Sequence, residues 1–99
     1  MKIDSIVIVN LISPKQKFFG RLKDLSTAGV TVRGIDLDAF EDWMNNIQGS
    51  EESGVQPTTT FFPLHRVEKV ILDEGIGAIP SLSSTFLTKI GSTVEDHLE

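Results

Sequence analysis

Few residues of this chain have the types and spacing that acid–base or metal chemistry requires. There are two histidines, His65 and His97, and no cysteine. A metal site needs several convergent ligands, and neither histidine has another His or Cys at ligand spacing. No serine lies in a nucleophile-elbow pattern, so a Ser–His hydrolase is not indicated. We therefore expect no catalytic residue, no bound metal and no cofactor.

Two other patterns resemble catalytic or nucleotide-binding motifs only in part. Acidic pairs such as Asp36 and Asp38 lie at predicted ends of elements, where caps and solvated turns are usual. The segment 75–80 has Pro80 in place of the third glycine of a dinucleotide-binding fingerprint, and too little chain follows for the second strand of that motif. We interpret it as a linker and the chain as non-enzymatic.

A group of basic residues is the main candidate for a binding surface. Strand periodicity in residues 15–33 places most of these side chains, together with Phe19, on the outer face of one hairpin. Such a surface would suit single-stranded nucleic acid, RNA in particular, because the cations can bind phosphates and the aromatic ring can stack on a base. The alternative is a solvated face, with Phe19 at an oligomer contact or beneath the C-terminal helix. The candidate nucleic-acid-binding residues are Lys15, Lys17, Phe19, Arg21, Lys23, Arg33 and His65.

Composition limits the class of protein. The chain has 99 residues, of which 39% are hydrophobic, and a formal net charge of −5. These values are typical of one small domain, and the acidic charge argues against a generally basic nucleic-acid binder. Asp4 and Asn10 interrupt the apolar run at residues 3–12, which we interpret as a strand rather than a signal peptide or membrane span. We expect a cytoplasmic protein that does not contact the membrane.

Alternation of apolar and polar residues predicts five strands. In the second of them, Phe18, Gly20 and Leu22 share one face, and a glycine in mid-strand marks a bend or a close approach of another backbone. The first strand is β-branched and nearly continuously apolar, as in strands that are well buried. The predicted strands cover residues 5–12, 15–25, 30–35, 58–62 and 66–73, with tight turns at 26–29 and 63–65.

Two short helices are predicted, at about residues 37–48 and near the C-terminus. The first has apolar residues at i, i+3, i+4 and i+7, with Asp38 as its expected N-cap. Its stripe either docks on the strands or forms a partner groove, and the apolar strand at 58–62 is a second candidate edge. Residues 49–56 are interpreted as an acidic loop, and 75–99 as a linker and helix that dock on the domain 1–74. The candidate interface residues are Phe40, Trp43, Met44, Phe61 and Phe62.

In this order, β-β-β-α-β-β-α, the elements resemble those of the Sm-like family, which includes the Hfq-type RNA chaperones. Residues 7–11 look like the first strand of that family, and residues 18–22 (FFGRL) like its aromatic–x–Gly–x–Leu second strand. The resemblance covers about Ser5–Leu72. It implies a mainly β fold, an SH3-like bent barrel of five strands. In the family such barrels often close into rings, because the fourth and fifth strands pair between subunits.

The family's uridine-binding residues are only partly present. Where Sm-like proteins generally have Asp and Asn in the turn between the second and third strands, this chain has Ser26 and Val30. Of the Lys-His motif in the last corner, only His65 is present, and the helix follows the third strand rather than preceding the first. We therefore predict a binding or assembly module that forms homo-oligomers through its barrel edges, with a protein partner as a further expectation. The alternative is an Sm-like protein that binds single-stranded RNA through its basic and aromatic hairpin face.

Overall fold

The computed structural model describes residues 1–49 and 54–99. Its centre is one five-stranded antiparallel sheet with the strand order β4-β3-β2-β1-β5. The strands are β1 (Ile6–Leu11), β2 (Gln16–Leu25), β3 (Gly29–Asp36), β4 (Thr58–Pro63) and β5 (Val67–Leu72). Two 3-10 turns, Leu37–Ala39 and Leu64–Arg66, and three helices complete the fold: α1 (Phe40–Gly49), α2 (Leu82–Ile90) and α3 (Val94–His97). The predicted mainly β class and element order are confirmed, and α3 is an addition. None of the described helices is long and apolar enough to span a membrane.

Both faces of the sheet are buried, and strand alternation assigns each residue to a face. On what we call the first face, Phe18 and Leu22 of β2 pack with Val7 of β1, and all described members of this cluster come from strands. On the second face, Phe19 and Ile35 pack with residues of all three helices. The alternation predicted for the second strand is therefore confirmed.

The first face buries itself because the sheet is strongly curved. The turn Leu64–Arg66 joins β4 to β5, which are opposite edges of the sheet. In a flat sheet these edges would lie about 19 Å apart, since neighbouring strands are about 4.8 Å apart. The chain from Pro63 to Val67 spans at most about 14 Å, even if fully extended. In the described part of the chain no ladder joins β4 to β5, so the sheet is curved without being a closed barrel.

Gly20 allows β2 and β3 to approach each other closely. It pairs with Gly34 across the two strands. A methyl group on Gly20 would overlap the carbonyl oxygen of Arg33, and one on Gly34 would overlap the carbonyl oxygen of Phe19. The close backbone approach predicted for Gly20 is therefore confirmed, and Gly34 is the residue that makes the other half of it.

The helical segment begins earlier than predicted, with the 3-10 turn Leu37–Ala39. The N-cap of this turn is Asp36 rather than Asp38. Asp36 Oδ1 accepts a hydrogen bond from the backbone N–H of Asp38 at 2.9 Å, at the start of the 3-10 turn that precedes α1. Asp36 Oδ2 accepts another from Gln16 Nε2 at 2.5 Å. The prediction of Asp38 as the N-cap is therefore wrong. Of the predicted acidic loop at 49–56, residues 50–53 lie outside the described residues.

Helix α2 is fixed to the sheet by an aspartate at the end of β5. The Asp73 carboxylate accepts hydrogen bonds from the backbone N–H groups of Leu82 and Ser83, both at 2.8 Å, and from Ser83 Oγ at 2.6 Å. Phe86 of α2 then packs on the second face with no exposed surface. The helix ends at Gly91, whose φ of 89° is left-handed, as expected for the residue after a helix. The sheet and α2 therefore share one core.

Candidate functional site

Three of the five predicted interface residues belong to the protein's own core. Phe40, Trp43 and Met44 of α1 are at most 7% exposed and pack against the second face. The Phe40 ring meets Phe19 edge-on, with 5.2 Å between ring centroids, and Trp43 lies 5.0 Å from Phe86. This corrects the interface interpretation for these three residues, because side chains held in the chain's own core present no surface to a partner.

The other two, Phe61 and Phe62, point to opposite faces of β4. Phe62 packs edge-on against Phe18, with 5.2 Å between ring centroids, and is buried in the first-face cluster. Its assignment to an interface is corrected for the same reason. Phe61 is 50% exposed. Of the predicted interface residues, Phe61 is therefore the one whose ring faces solvent.

Both edges of the sheet offer unpaired backbone. In the described residues β4 pairs only with β3, and β5 pairs only with β1. Exposed apolar side chains accompany these edges: Phe61 on β4, and Ile71 and Leu72 on β5, which are 38% and 40% exposed. Strand edges with free N–H and C=O groups pair readily with other strands unless something covers or charges them. We call β4 and β5 the two edges.

Phe19 cannot act as a stacking platform for a base. Its side chain has no exposed surface, and its ring packs against Phe40 of α1. It lies in the same buried cluster as Phe86 of the C-terminal helix α2. This corrects the placement of Phe19 on an exposed face and agrees with the alternative in which it lies beneath that helix.

The predicted basic residues do not form one continuous stripe. Lys15 and Lys17 line a cavity of about 510 Å³ near the start of β2. His65 is exposed in the turn between β4 and β5. The other three line a separate cavity of about 540 Å³ and form what we call the cationic shelf: Arg21, Lys23 and Arg33.

The two arginines of the cationic shelf contact the C-terminal segment. Arg21 and Arg33 are direct partners across β2 and β3. Arg21 Nη2 donates to the backbone carbonyl of Glu95 at 3.0 Å, and Arg33 Nη2 donates to that of Glu99 at 3.1 Å. Each guanidinium has five N–H donors, of which such a bond uses one. The Arg21 side chain is only 18% exposed, which limits its access to a ligand.

A carboxylate and an aromatic ring complete the shelf. Asp4 Oδ1 lies 3.8 Å from Arg21 Nη1 and 3.4 Å from Lys23 Nζ. Thr59 lines the same cavity, and Phe61, two residues further along β4, lies on the same face. Exposed ion pairs of this kind contribute at most about 1 kcal/mol. Glu99 lines the same cavity, so an anionic group would compete with two acidic residues for the three cations. The Phe61 ring lies on the same face but outside the cavity lining, where a planar group can stack on it.

One polar pair was not identified from the sequence. Ser92 Oγ lies 2.8 Å from His97 Nε2, and the His97 ring packs on Phe86 with 5.3 Å between centroids. Within the described residues no carboxylate bonds to this imidazole, so the third member of a catalytic triad is missing. Among residues 1–49 and 54–99, no three His, Asp or Glu side chains are close enough to hold a metal ion.

No protein-family model matches the chain, and no curated protein or solved structure matches it at a significant level. The fold, the two edges and the cationic shelf are therefore the grounds on which a function is proposed.

Proposed function

We propose that the protein is a non-enzymatic assembly module whose copies associate through the edges of their sheets. The observation that carries this proposal is the pair of unpaired edges, each with half-exposed apolar side chains. β4 and β5 are the two opposite edges of the sheet, and we place β4 of one copy beside β5 of the next, as the Sm-like resemblance implies. Such a contact between two different surfaces closes into a ring when the rotation between copies allows it.

The proposed fold identity supports this arrangement. We assign the chain to the SH3-like, Sm-like fold, as an open version of its bent barrel, on the basis of the strand order, the strong curvature and the three-residue turn between opposite edges. The resemblance of residues 5–72 to the Sm-like family implies pairing of the fourth and fifth strands between subunits. The unpaired edges and the resemblance therefore both favour contacts through β4 and β5.

The expected stabilisation comes from backbone and side chains together. Each edge strand has six residues, and each backbone hydrogen bond gained contributes about 1 kcal/mol net. Burial of the exposed Phe61 ring adds the hydrophobic contribution of an aromatic side chain. These contributions must exceed the loss of translational and rotational freedom on association, which makes the assembly dependent on protein concentration.

Light scattering on size-exclusion fractions tests the proposal. We expect the wild-type protein to have a mass that is a multiple of the 10.9 kDa chain. Phe61→Lys should shift it towards 10.9 kDa, because a charge on an edge strand opposes pairing. Leu87→Lys on α2 is the matched control, since Leu87 is 49% and Phe61 50% exposed. A wild-type mass of 10.9 kDa at all concentrations would contradict the proposal.

A second candidate function is the binding of single-stranded nucleic acid on the cationic shelf. The observation in its favour is that three cations line one cavity and Phe61 lies exposed on the same face. Phe61 takes the stacking role for which Phe19 is unsuitable. The formal net charge of −5 and the separation of Lys15 and Lys17 from the shelf make this the lesser candidate.

An oligonucleotide mobility shift in low salt tests the second candidate. Arg33→Gln should weaken binding by about tenfold. The slope of the logarithm of the binding constant against the logarithm of the salt concentration should fall by about the amount that one phosphate contact contributes. Lys15→Gln removes the same charge from the other cavity and should change the affinity much less. Absence of any shift at low salt would exclude nucleic-acid binding and leave the assembly proposal unaffected.

A further inference from the structure

An uncharged loop after β5 presents two exposed isoleucines. Ile76 and Ile79 exchange backbone hydrogen bonds of 2.9 and 3.0 Å, and Gly77 between them has a left-handed φ of 59°. Their side chains are 73% and 71% exposed, the highest values among the large apolar residues of the described chain. We call residues 75–80 the apolar tip.

The apolar tip is held in place on both sides. Asp73, just before it, accepts the N–H hydrogen bonds of Leu82 and Ser83, just after it. Together with the two bonds between the isoleucines, this closes the loop at its base and near its turn. A preordered apolar loop loses little conformational entropy when it docks, which favours binding. The tip is therefore an ordered and exposed apolar surface.

A matching cavity lies at the start of β4. It has a volume of about 300 Å³, and its mostly apolar lining also contains the polar side chains of Gln56 and Thr58. The apolar part of the described lining consists of Phe18, Gly34, Ile35, Ala39, Gly54 and Val55. The cavity has about ten times the volume of one water molecule in the liquid, which is sufficient for branched apolar side chains. Asp36 also lines it, but both of its carboxylate oxygens already accept hydrogen bonds within the chain. An uncharged occupant suits such a site.

We propose that the apolar tip of one copy docks in this cavity of the neighbouring copy. The inference rests on the proposed edge pairing and extends it. Antiparallel strand pairing is the more stable kind, and it sets the C-terminal end of β5 in one copy beside Thr58, the first residue of β4, in the other. The tip follows β5 by two residues and the cavity includes Thr58. Edge pairing therefore brings tip and cavity together.

Disulfide trapping between two variants tests the contact. The chain has no cysteine, so Ile76→Cys and Thr58→Cys can be mixed as separate proteins under mild oxidation. We expect a mixed covalent dimer, because docking brings the two Cβ atoms within the short reach of a disulfide. Mixing Ile76→Cys with Lys15→Cys is the control and should give almost none.

The outcomes separate this inference from the function on which it rests. A mixed dimer with Thr58→Cys alone supports the docked tip. Dimers with Leu64→Cys instead, at the other end of β4, would indicate parallel pairing and overturn the inference. If light scattering shows assembly but neither pair cross-links, the inference fails and edge pairing stands. If the wild-type protein is monomeric, both the docked tip and the edge pairing are contradicted.

A quantitative test uses the isoleucines themselves. Ile76→Ser should weaken self-association by about tenfold, from the loss of one buried apolar side chain. Leu87→Ser removes a comparably apolar side chain from α2, outside the proposed contact, and should leave the dissociation constant unchanged. Equal dissociation constants for wild type and Ile76→Ser would contradict the docked tip.

Discussion

The two faces of the sheet are buried in different ways. The first face is covered by the curvature of the sheet itself, since its described cluster consists of strand residues alone. The second face is covered by helices, through residues such as Phe40, Trp43 and Phe86. Among the described strands, backbone is left unpaired at β4 and β5. The helices cover only part of the second face, and the cationic shelf lies beside them, in contact with the C-terminal segment. The proposed assembly surface, formed by β4 and β5, is therefore distinct from the cationic shelf, which is the second candidate binding surface.

The largest expected effect concerns the helix cover of the second face. Phe86→Ala should lower the free energy of unfolding by about 3–5 kcal/mol, because it removes a fully buried aromatic ring from the core. Leu87→Ala, one residue further along α2 and 49% exposed, should cost less than about 0.5 kcal/mol. Chemical denaturation measures both. Equal losses would show that α2 does not dock through Phe86.

A smaller effect is expected where β2 and β3 approach closely. Gly34→Ala should lower the free energy of unfolding by about 1–3 kcal/mol, since the added methyl overlaps the Phe19 carbonyl and forces the strands apart. Gly54→Ala is the control, because its Cβ would meet no atom of the described residues within 4 Å. Thermal or urea unfolding provides the comparison. If Gly34→Ala is as stable as the wild-type protein, β2 and β3 are further apart than described.

The smallest of the three effects concerns the attachment of α2. Asp73→Ala should lower the free energy of unfolding by about 1 kcal/mol or more, because three hydrogen bonds to the first turn of α2 disappear. Ser81, the N-cap of the helix, keeps its own bond to the Ser84 N–H. Glu74→Ala changes the charge equally at the next position. Urea titrations of the two variants give the difference directly. A larger loss for Glu74→Ala would contradict the role of Asp73 in anchoring the first turn of α2.

Strand pattern predicts which face a residue takes, but not what covers that face. Alternation places Phe18 and Phe19 on opposite sides correctly, since it follows from the pleat of a strand. Whether Phe19 meets solvent or a helix depends on α1 and α2, which lie at least 21 residues further along the chain. The same reason explains why the sequence left two alternatives open for Phe40 and Trp43. The structure agrees with the alternative in which their stripe docks on the strands, and the interface assignment is wrong.

The sequence alone does not predict which of two similar residues takes a given structural role. Asp36 and Asp38 are both good caps by type, and the bond from Gln16 helps to hold Asp36 in its role. Gly20 can be identified from the sequence because a glycine is unusual in the middle of an apolar strand. The role of Gly34 follows only from the register, which pairs it with Gly20. The cationic shelf depends on that same register, because it brings Arg21 and Arg33 together.

Amide hydrogen exchange at several protein concentrations tests edge pairing most directly. Because β4 and β5 have unpaired outer sides, the account predicts that their amides become more protected as concentration rises, while those of the central strand β2 do not change. Protection of β4 and β5 that is independent of concentration, over a range that reaches the millimolar level, would contradict association through these strands.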